Sequence, residues 1–305
     1  MKHRNTLGVS AMKKYSFYIA GGDLRSAYLA AALAEGKNKV AAFGLSGADE
    51  ILKGVFKSES LSDAAGFDAA VLPLPCCDGE GYIKTPLSDK KVKLEELINS
   101  LEHGSVLMGG FVPDWVYKLA EKRQIAVYDY YEREEFAVRN AALTAEAAVA
   151  LAMELLTETI SDMPVLVLGH GRIGRLLASI LKALDAKVTV AARRFSDLAW
   201  IRSEGLVPIE FMRLKEHISE FGVIFNTVPA MVLDGELLSM TDKKAVIIDL
   251  ASEPCGTDFA AAERLGLKVR KAPGLPGKFA PKTAGEIIKD TVLNILSERE
   301  EDSCG

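Results

Sequence analysis

At 305 residues the chain is long enough for two domains that each bury a core. With 49% hydrophobic and 26% charged residues it falls in the ordinary water-soluble globular class, and a net charge of −5 at pH 7 argues against a non-specific nucleic-acid binder. No apolar run reaches the length of about 18 residues that a membrane span needs. The start, Met1-Lys2-His3-Arg4-Asn5, lacks the adjoining apolar stretch of a signal peptide, and residues 1–12 read as a disordered extension or an upstream start. The cysteines, Cys76, Cys77, Cys255 and Cys304, offer neither spaced pairs nor histidine partners. No metal is therefore expected, and free thiols in a reducing cytoplasm are the reading.

Residues 1–143 alternate strand and helix. Residues 15–20 (YSFYIA) read as a strand that runs into the turn Gly21-Gly22-Asp23, and 24–35 as an alanine-rich helix stopped by Gly36. Residues 39–43 form a second strand and 69–74 a third, ended by Pro73 and Pro75. A helix at 94–101, a strand at 106–108, a helix at 114–123 and a strand at 125–128 continue the pattern. Such alternation predicts a parallel sheet with crossover helices. The Gly-Gly-Asp turn lacks a full dinucleotide fingerprint, so this half is expected to be the substrate domain.

Residues 144–160 read as a linking helix with Thr144 and Glu146 near its start, and 161–281 as a second domain. After its first strand and helix, strands are expected at 187–192, 206–209, 222–228, 245–251 and 268–272, with helices at 196–204, 213–220, 233–240 and 258–265. Six strands at this spacing fit the order 3-2-1-4-5-6. A last helix over 283–296, within the segment 282–305, is expected to return to the first domain and to end in a frayed acidic tail. The fold class is thus α/β: two Rossmann-like domains with doubly wound parallel sheets, joined by long helices.

The strongest local signal is Val165-Leu166-Val167-Leu168-Gly169-His170-Gly171-Arg172-Ile173-Gly174. An apolar strand leads into G-x-G-x-x-G, which opens a helix and is followed by a second β-branched strand. Gly169 permits the turn, Gly171 lets backbone approach a pyrophosphate, and Gly174 lets the helix pack on the strand. The phosphates then lie at the helix N-terminus. NAD sites usually place an acid at the end of the second strand; here stand Ala192, Arg193 and Arg194, with Ser196 behind. Guanidinium groups suit a 2′-phosphate, so NADP is expected. Asp197 reads as a helix cap. Two solvated loop arginines are the plainer alternative.

In this architecture ligands lie at the carboxyl ends of the strands. Asn226-Thr227-Val228-Pro229 and Leu250-Ala251 end strands beside the cofactor. Pro273-Gly274-Leu275-Pro276-Gly277-Lys278 reads as a rigid loop that presents backbone amides and Lys278. The first domain offers Asp23 and Arg25, then Lys84 and Thr85. Lys278, Lys84 and Arg25 are the candidate catalytic cations, and Asp23, Thr85, Thr144, Gly274, Leu275, Pro276 and Gly277 the candidate substrate contacts, in a cleft between the domains. Ordinary turn chemistry and solvated surface charge explain the same residues without a ligand. His170 is expected to face phosphate or solvent, His103 and His217 lie on amphipathic surface helices, and none has an acidic partner near it in sequence. Cys255 lacks a nearby histidine and is not read as a nucleophile.

Taken together, Gly21-Gly22-Asp23-Leu24-Arg25, Gly81-Tyr82-Ile83-Lys84-Thr85-Pro86-Leu87-Ser88, Thr144-Ala145-Glu146, the glycine loop, Asn226-Thr227-Val228-Pro229-Ala230, Ile248-Asp249-Leu250-Ala251-Ser252 and residues 272–285 resemble the dipicolinate synthase A-subunit family. The resemblance runs from about residue 13 to residue 296, and its last block is the most specific. It implies an oxidoreductase acting in spore-forming bacteria on dihydrodipicolinate or its hydroxylated precursor. It also implies a nicotinamide cofactor and an accompanying flavoprotein-like B-subunit. Another two-domain NADP-dependent dehydrogenase of a carboxylated metabolite remains open, as does a nucleotide-binding protein with a regulatory role. A dicarboxylate substrate, a cytoplasmic (mother-cell) location and a homodimer complete the expectation, with no nucleic acid, membrane or metal partner.

Overall fold

The structure, a computed structural model, describes residues 14–304. The extension expected at residues 1–12 lies outside them, as does the thiol of Cys304. The chain divides into two compact units: one runs to Phe136 and resumes at Pro281, the other is Ala137–Ala280.

The first unit contains β1 (Ser16–Ala20), α1 (Leu24–Glu35), β2 (Lys39–Phe43), β3 (Phe56–Ser58), β4 (Ala69–Val71), α2 (Leu94–Ser100), β5 (Val106–Gly109), α3 (Asp114–Glu121) and β6 (Ala126–Asp129). All six strands are parallel, in the order β3-β2-β1-β4-β5-β6. Phe17 pairs with Val40 on one side and Ala69 on the other. This is the same 3-2-1-4-5-6 order expected only of the second half. β3 is absent from the sequence-based expectation, because a three-residue edge strand with two exposed side chains carries no apolar pattern. Tyr18, Phe43, Leu72, Leu97 and Leu107 fill one core.

α4 (Glu134–Leu155) begins ten residues before the expected Thr144: its first turns carry Glu134, Glu135 and Arg139, which read as loop, around a single buried anchor, Phe136. The unit boundary falls inside it. α4 is long and apolar enough in length and composition to cross a membrane, contrary to expectation, but 56% of its apolar window is buried within the chain. Ala145, Ala148, Val149 and Ala152 pack with β7 (Pro164–Leu168) in the second core.

The second unit continues with α5 (Arg172–Ala183), β8 (Lys187–Ala192), α6 (Phe195–Ser203), β9 (Val207–Glu210), α7 (Leu214–His217), β10 (Val223–Asn226), α8 (Gly235–Ser239), β11 (Val246–Asp249), α9 (Phe259–Leu265), β12 (Lys268–Lys271) and α10 (Leu275–Phe279). Its parallel sheet runs β12-β11-β10-β7-β8-β9, as expected. α10 replaces the loop expected at 273–278: Gly274, at φ +67°, caps a turn of helix whose Leu275 enters the core. The reversal of strand order between β7 and β10 places the ligand crevice of this unit at the ends of those strands.

α11 (Pro281–Cys304) belongs to the first unit and runs through to Cys304, eight residues beyond the expected end at 296. Arg133, which donates to Glu298 from Nη1 and Nη2 at 2.7 and 2.6 Å, anchors it. A Cβ on Gly285 would lie 2.6 Å from the Arg25 carbonyl oxygen, so only glycine lets α11 approach α1 this closely.

Candidate dinucleotide site

Local geometry assigns the three glycines three different tasks. Gly169 turns the chain at φ +98°, and a Cβ there would lie 2.6 Å from Thr227 Oγ1. A Cβ on Gly174 would lie 2.1 Å from the Gly169 carbonyl oxygen, so α5 rests directly on the end of β7. Gly171 has ordinary backbone angles and nothing within 4 Å of its Cβ position. Neither strain nor crowding demands glycine at 171; what its lack of a side chain leaves is bare backbone at the start of a twelve-residue helix. That is the arrangement a pyrophosphate needs. Arg172 and Ile173 follow in the first turn of α5.

At the end of β8, Ala192 is buried while Arg193, Arg194 and Ser196 are exposed. The Arg193 guanidinium lies 5.5 Å over the Phe211 ring. Arg194 Nε donates to Asp197 Oδ2 at 2.8 Å and Nη2 to Oδ1 at 3.0 Å. Asp197 therefore does not cap α6, as expected from sequence; it holds Arg194, whose pKa rises through those hydrogen bonds.

Asn226 is fully buried and ties two strand ends together. Its Nδ2 donates to Asp249 Oδ2 and to the Val228 carbonyl, both at 3.1 Å, and its Oδ1 accepts from Val228 N. Thr227 Oγ1 donates to the Leu168 carbonyl at 2.8 Å. Asp249, also fully buried, accepts from Ala251 N, Gly256 N and Thr257 Oγ1 as well. It fixes the loop holding Leu250 and Ala251, both buried, while Pro229 is exposed. The sequence-based expectation does not single out Asp249 for this role, although an acid closing an apolar strand is the visible signal.

His170 departs from expectation. Its side chain is 2% exposed rather than facing solvent, and Nε2 lies 3.2 Å from Glu204 Oε2. Glu204 Oε1 accepts from Arg175 Nη2 at 2.7 Å. Burial opposes the Glu204 charge, but the hydrogen bonds and charges of Arg175 and His170 outweigh it and hold the carboxyl below the usual carboxylate range. Thirty-four residues separate the pair, so nothing local in the sequence signals it. His217, likewise expected to lack an acid, sits 2.9 Å from Glu220 at the surface.

The candidate substrate residues fare unevenly. Arg25 donates to both Asp23 oxygens and to the Leu74 carbonyl, so it is a paired, mostly buried cation, and Asp23 caps α1 through Arg25 N. Thr85 donates to the Lys90 carbonyl, and Thr144, deep within α4, to the Asn140 carbonyl. Leu275 and Pro276 are buried, and Pro276 has no N–H to offer. Gly277 is half-buried in α10. Lys84 and Lys278 are exposed, and neither has a hydrogen-bond or ion-pair partner among the described residues. Cys255 is buried, and burial pushes its thiol pKa up, as it does for Cys76 and Cys77. Among the described residues no cluster of three or more His, Cys, Asp or Glu could hold a metal.

Two family models match. Residues 16–131 fit the N-terminal domain of the dipicolinate synthase A-subunit, and residues 137–254 the NAD binding domain of D-isomer specific 2-hydroxyacid dehydrogenases. The dipicolinate synthase A-subunit of Bacillus subtilis (strain 168) is 34% identical over 284 residues, covering 92% of this chain and 95% of that protein. The crystal structure of the Bacillus subtilis dipicolinate synthase A chain superposes with a TM-score of 0.84 at 33% identity, covering 95% and 98% of the two chains. That of the dipicolinate synthase A-subunit from Bacillus halodurans gives 0.84 at 32% identity, covering 93% and 98%. A transhydrogenase from Sinorhizobium meliloti, at 16% identity and a TM-score of 0.70 over 93% of this chain and 94% of its own, shares the fold. With a glycine loop shaped for a dinucleotide and a relative of this similarity spanning both units, the chain is an NAD(P)-dependent oxidoreductase that belongs to the dipicolinate synthase A-subunit family.

Proposed function

We propose that this chain forms dipicolinate, pyridine-2,6-dicarboxylate, from dihydrodipicolinate or its hydroxylated precursor with NADP as oxidant. The observation that carries the proposal is the 34% identity, over 92% of the chain, to the Bacillus subtilis dipicolinate synthase A-subunit. Bound NADP supplies a hydride acceptor, and loss of a hydride and a proton from the dihydropyridine leaves an aromatic ring.

The protein's share of this chemistry is binding and orientation. Gly169, Gly171, Gly174 and the start of α5 would receive the pyrophosphate, and Arg193, Arg194 and Ser196 the 2′-phosphate. Asn226 to Pro229 and Leu250–Ala251 would border the nicotinamide end. The substrate is a dianion, and burying a carboxylate without a partner is costly. Lys84 and Lys278 are candidates with charge still uncommitted, whereas the charge of Arg25 is already answered by Asp23. Backbone amides of Gly274, Leu275 and Gly277 add donors, whereas Thr85 and Thr144 already donate elsewhere.

We place the reaction in the cytoplasm of a sporulating mother cell, in a homodimer partnered by a flavoprotein-like B-subunit. The test is an absorbance assay with purified chain, freshly generated dihydrodipicolinate and NADP. Turnover by the chain alone supports the proposal, and turnover only with the B-subunit present makes the two joint catalysts. Cofactor binding without turnover in either case overturns it in favour of a regulatory role, the reading kept open by the absence, among the described residues, of a histidine–carboxylate pair outside the glycine loop and the α7 surface.

A further inference from the structure

The buried histidine inside the glycine loop has no counterpart in the fingerprint's chemistry, which needs only glycines and backbone amides at these positions. Its surroundings are specific. Gly169 and Gly171 flank it, so a bond that anchors its side chain anchors the loop at its middle. Its ring is 2% exposed and meets one carboxylate, Glu204, at the C-terminal end of α6. Glu204 is itself held from α5. Arg175 Nη2 donates to its Oε1, and Lys182 Nζ donates to its backbone carbonyl at 2.6 Å. The groups facing this pair are therefore Arg175 and Lys182 of α5 and Glu204 itself, with Arg172 opening the same helix. Among the described residues no second carboxylate is paired with His170.

We propose that His170 is a positioning residue: its bond to Glu204 fixes the glycine loop in its dinucleotide-receiving form. A loop already held in that form loses less freedom when the dinucleotide binds. Glu204 is in turn fixed by Arg175, which keeps its carboxyl ionised. The inference rests on the dinucleotide site, which the NAD binding domain match supports, and not on the identity of the substrate.

Two variants test the tether. His170→Gln keeps a nitrogen donor able to reach Glu204; His170→Ala removes it. The probe is NADPH, titrated by its own fluorescence against the full chain at one fixed pH. His170→Ala should bind about five-fold more weakly, and His170→Gln within about two-fold of the unmodified protein. In the ligand-free chain, amide exchange across residues 169–174 should quicken in His170→Ala and in Glu204→Gln, and stay near the original in His170→Gln. NADPH binding by His170→Ala as tight as that of the unmodified protein, or unchanged exchange in both His170→Ala and Glu204→Gln, overturns the tether.

Discussion

Arg194 and Asp197 form a two-bond ion pair across the first turn of α6, with Nε–Oδ2 at 2.8 Å and Nη2–Oδ1 at 3.0 Å. An arginine proposed for the 2′-phosphate thus starts with its charge partly answered, while Arg193 stands over Phe211 with no carboxylate bonded to it among the described residues. Replacing both arginines with alanine should weaken NADPH binding at least about ten-fold and NADH binding hardly at all. Asp197→Asn, by releasing Arg194, should strengthen NADPH binding by roughly two- to three-fold. Fluorescence titration with both dinucleotides checks this; equal affinity of the unmodified protein for the two would remove the case for NADP.

The three glycines separate binding from folding. Gly171→Ala places its Cβ in open space at ordinary backbone angles, so thermal unfolding should stay within about 2 °C of the original while dinucleotide binding falls at least about ten-fold. Gly174→Ala puts a Cβ 2.1 Å from the Gly169 carbonyl oxygen and should cost about 2–4 kcal/mol of stability as well. Parallel calorimetry and titration distinguish the two, and a strongly destabilised Gly171→Ala would mean the loop is not shaped as described.

What could be read from residues alone followed pattern length. The strand of β7, the glycine loop and β8 declare themselves through adjacent apolar and glycine signals, and α1 and β2 were legible to the residue. β3 was not, since an edge strand of three residues with exposed Phe56 and Lys57 has no face to pattern. The start of α4 is hidden because its first turns are charged, with Phe136 the one buried side chain among residues 134–140, a composition that reads equally as loop. In the candidate site the loop glycines were legible, but side-chain pairings were not. His170–Glu204 and Asn226–Asp249 join residues 34 and 23 positions apart, and Arg25 looked like a free cation until the fold closed Asp23 onto it.

Asp249 has four donors converging on a fully buried carboxylate. Asp249→Ala should cost about 3 kcal/mol by leaving Asn226, Thr257 and two N–H groups unsatisfied. Asp249→Asn should be nearly as harmful, because its amide nitrogen would face donors wherever it points. Denaturant unfolding measures both, and an Asn variant of unmodified stability would refute the network's role.

Glu298 gives a pH signature. Its hydrogen bond from Arg133 holds its carboxyl below the ordinary value of 4.5. A carboxyl whose folded pKa is depressed contributes stability that is fully present above its unfolded pKa and is lost as pH falls through the folded one. Glu298→Gln should therefore be less stable than the original protein at pH 7, and the two should converge as pH falls below 4.5 and through the depressed folded pKa, where the wild-type carboxyl protonates. A difference that persists unchanged in strong acid would assign the effect to packing instead.

The central claim is the coupling of dipicolinate formation to NADP, and the most direct measurement counts both products in one vessel. Purified chain, with the B-subunit where required, is given freshly generated dihydrodipicolinate and NADP, and dipicolinate is quantified by mass spectrometry alongside NADPH by absorbance. One dipicolinate per NADPH is the predicted result, with NAD in place of NADP giving far less of both. Dipicolinate appearing without reduction of the dinucleotide, or at the same rate when NADP is omitted, would contradict it.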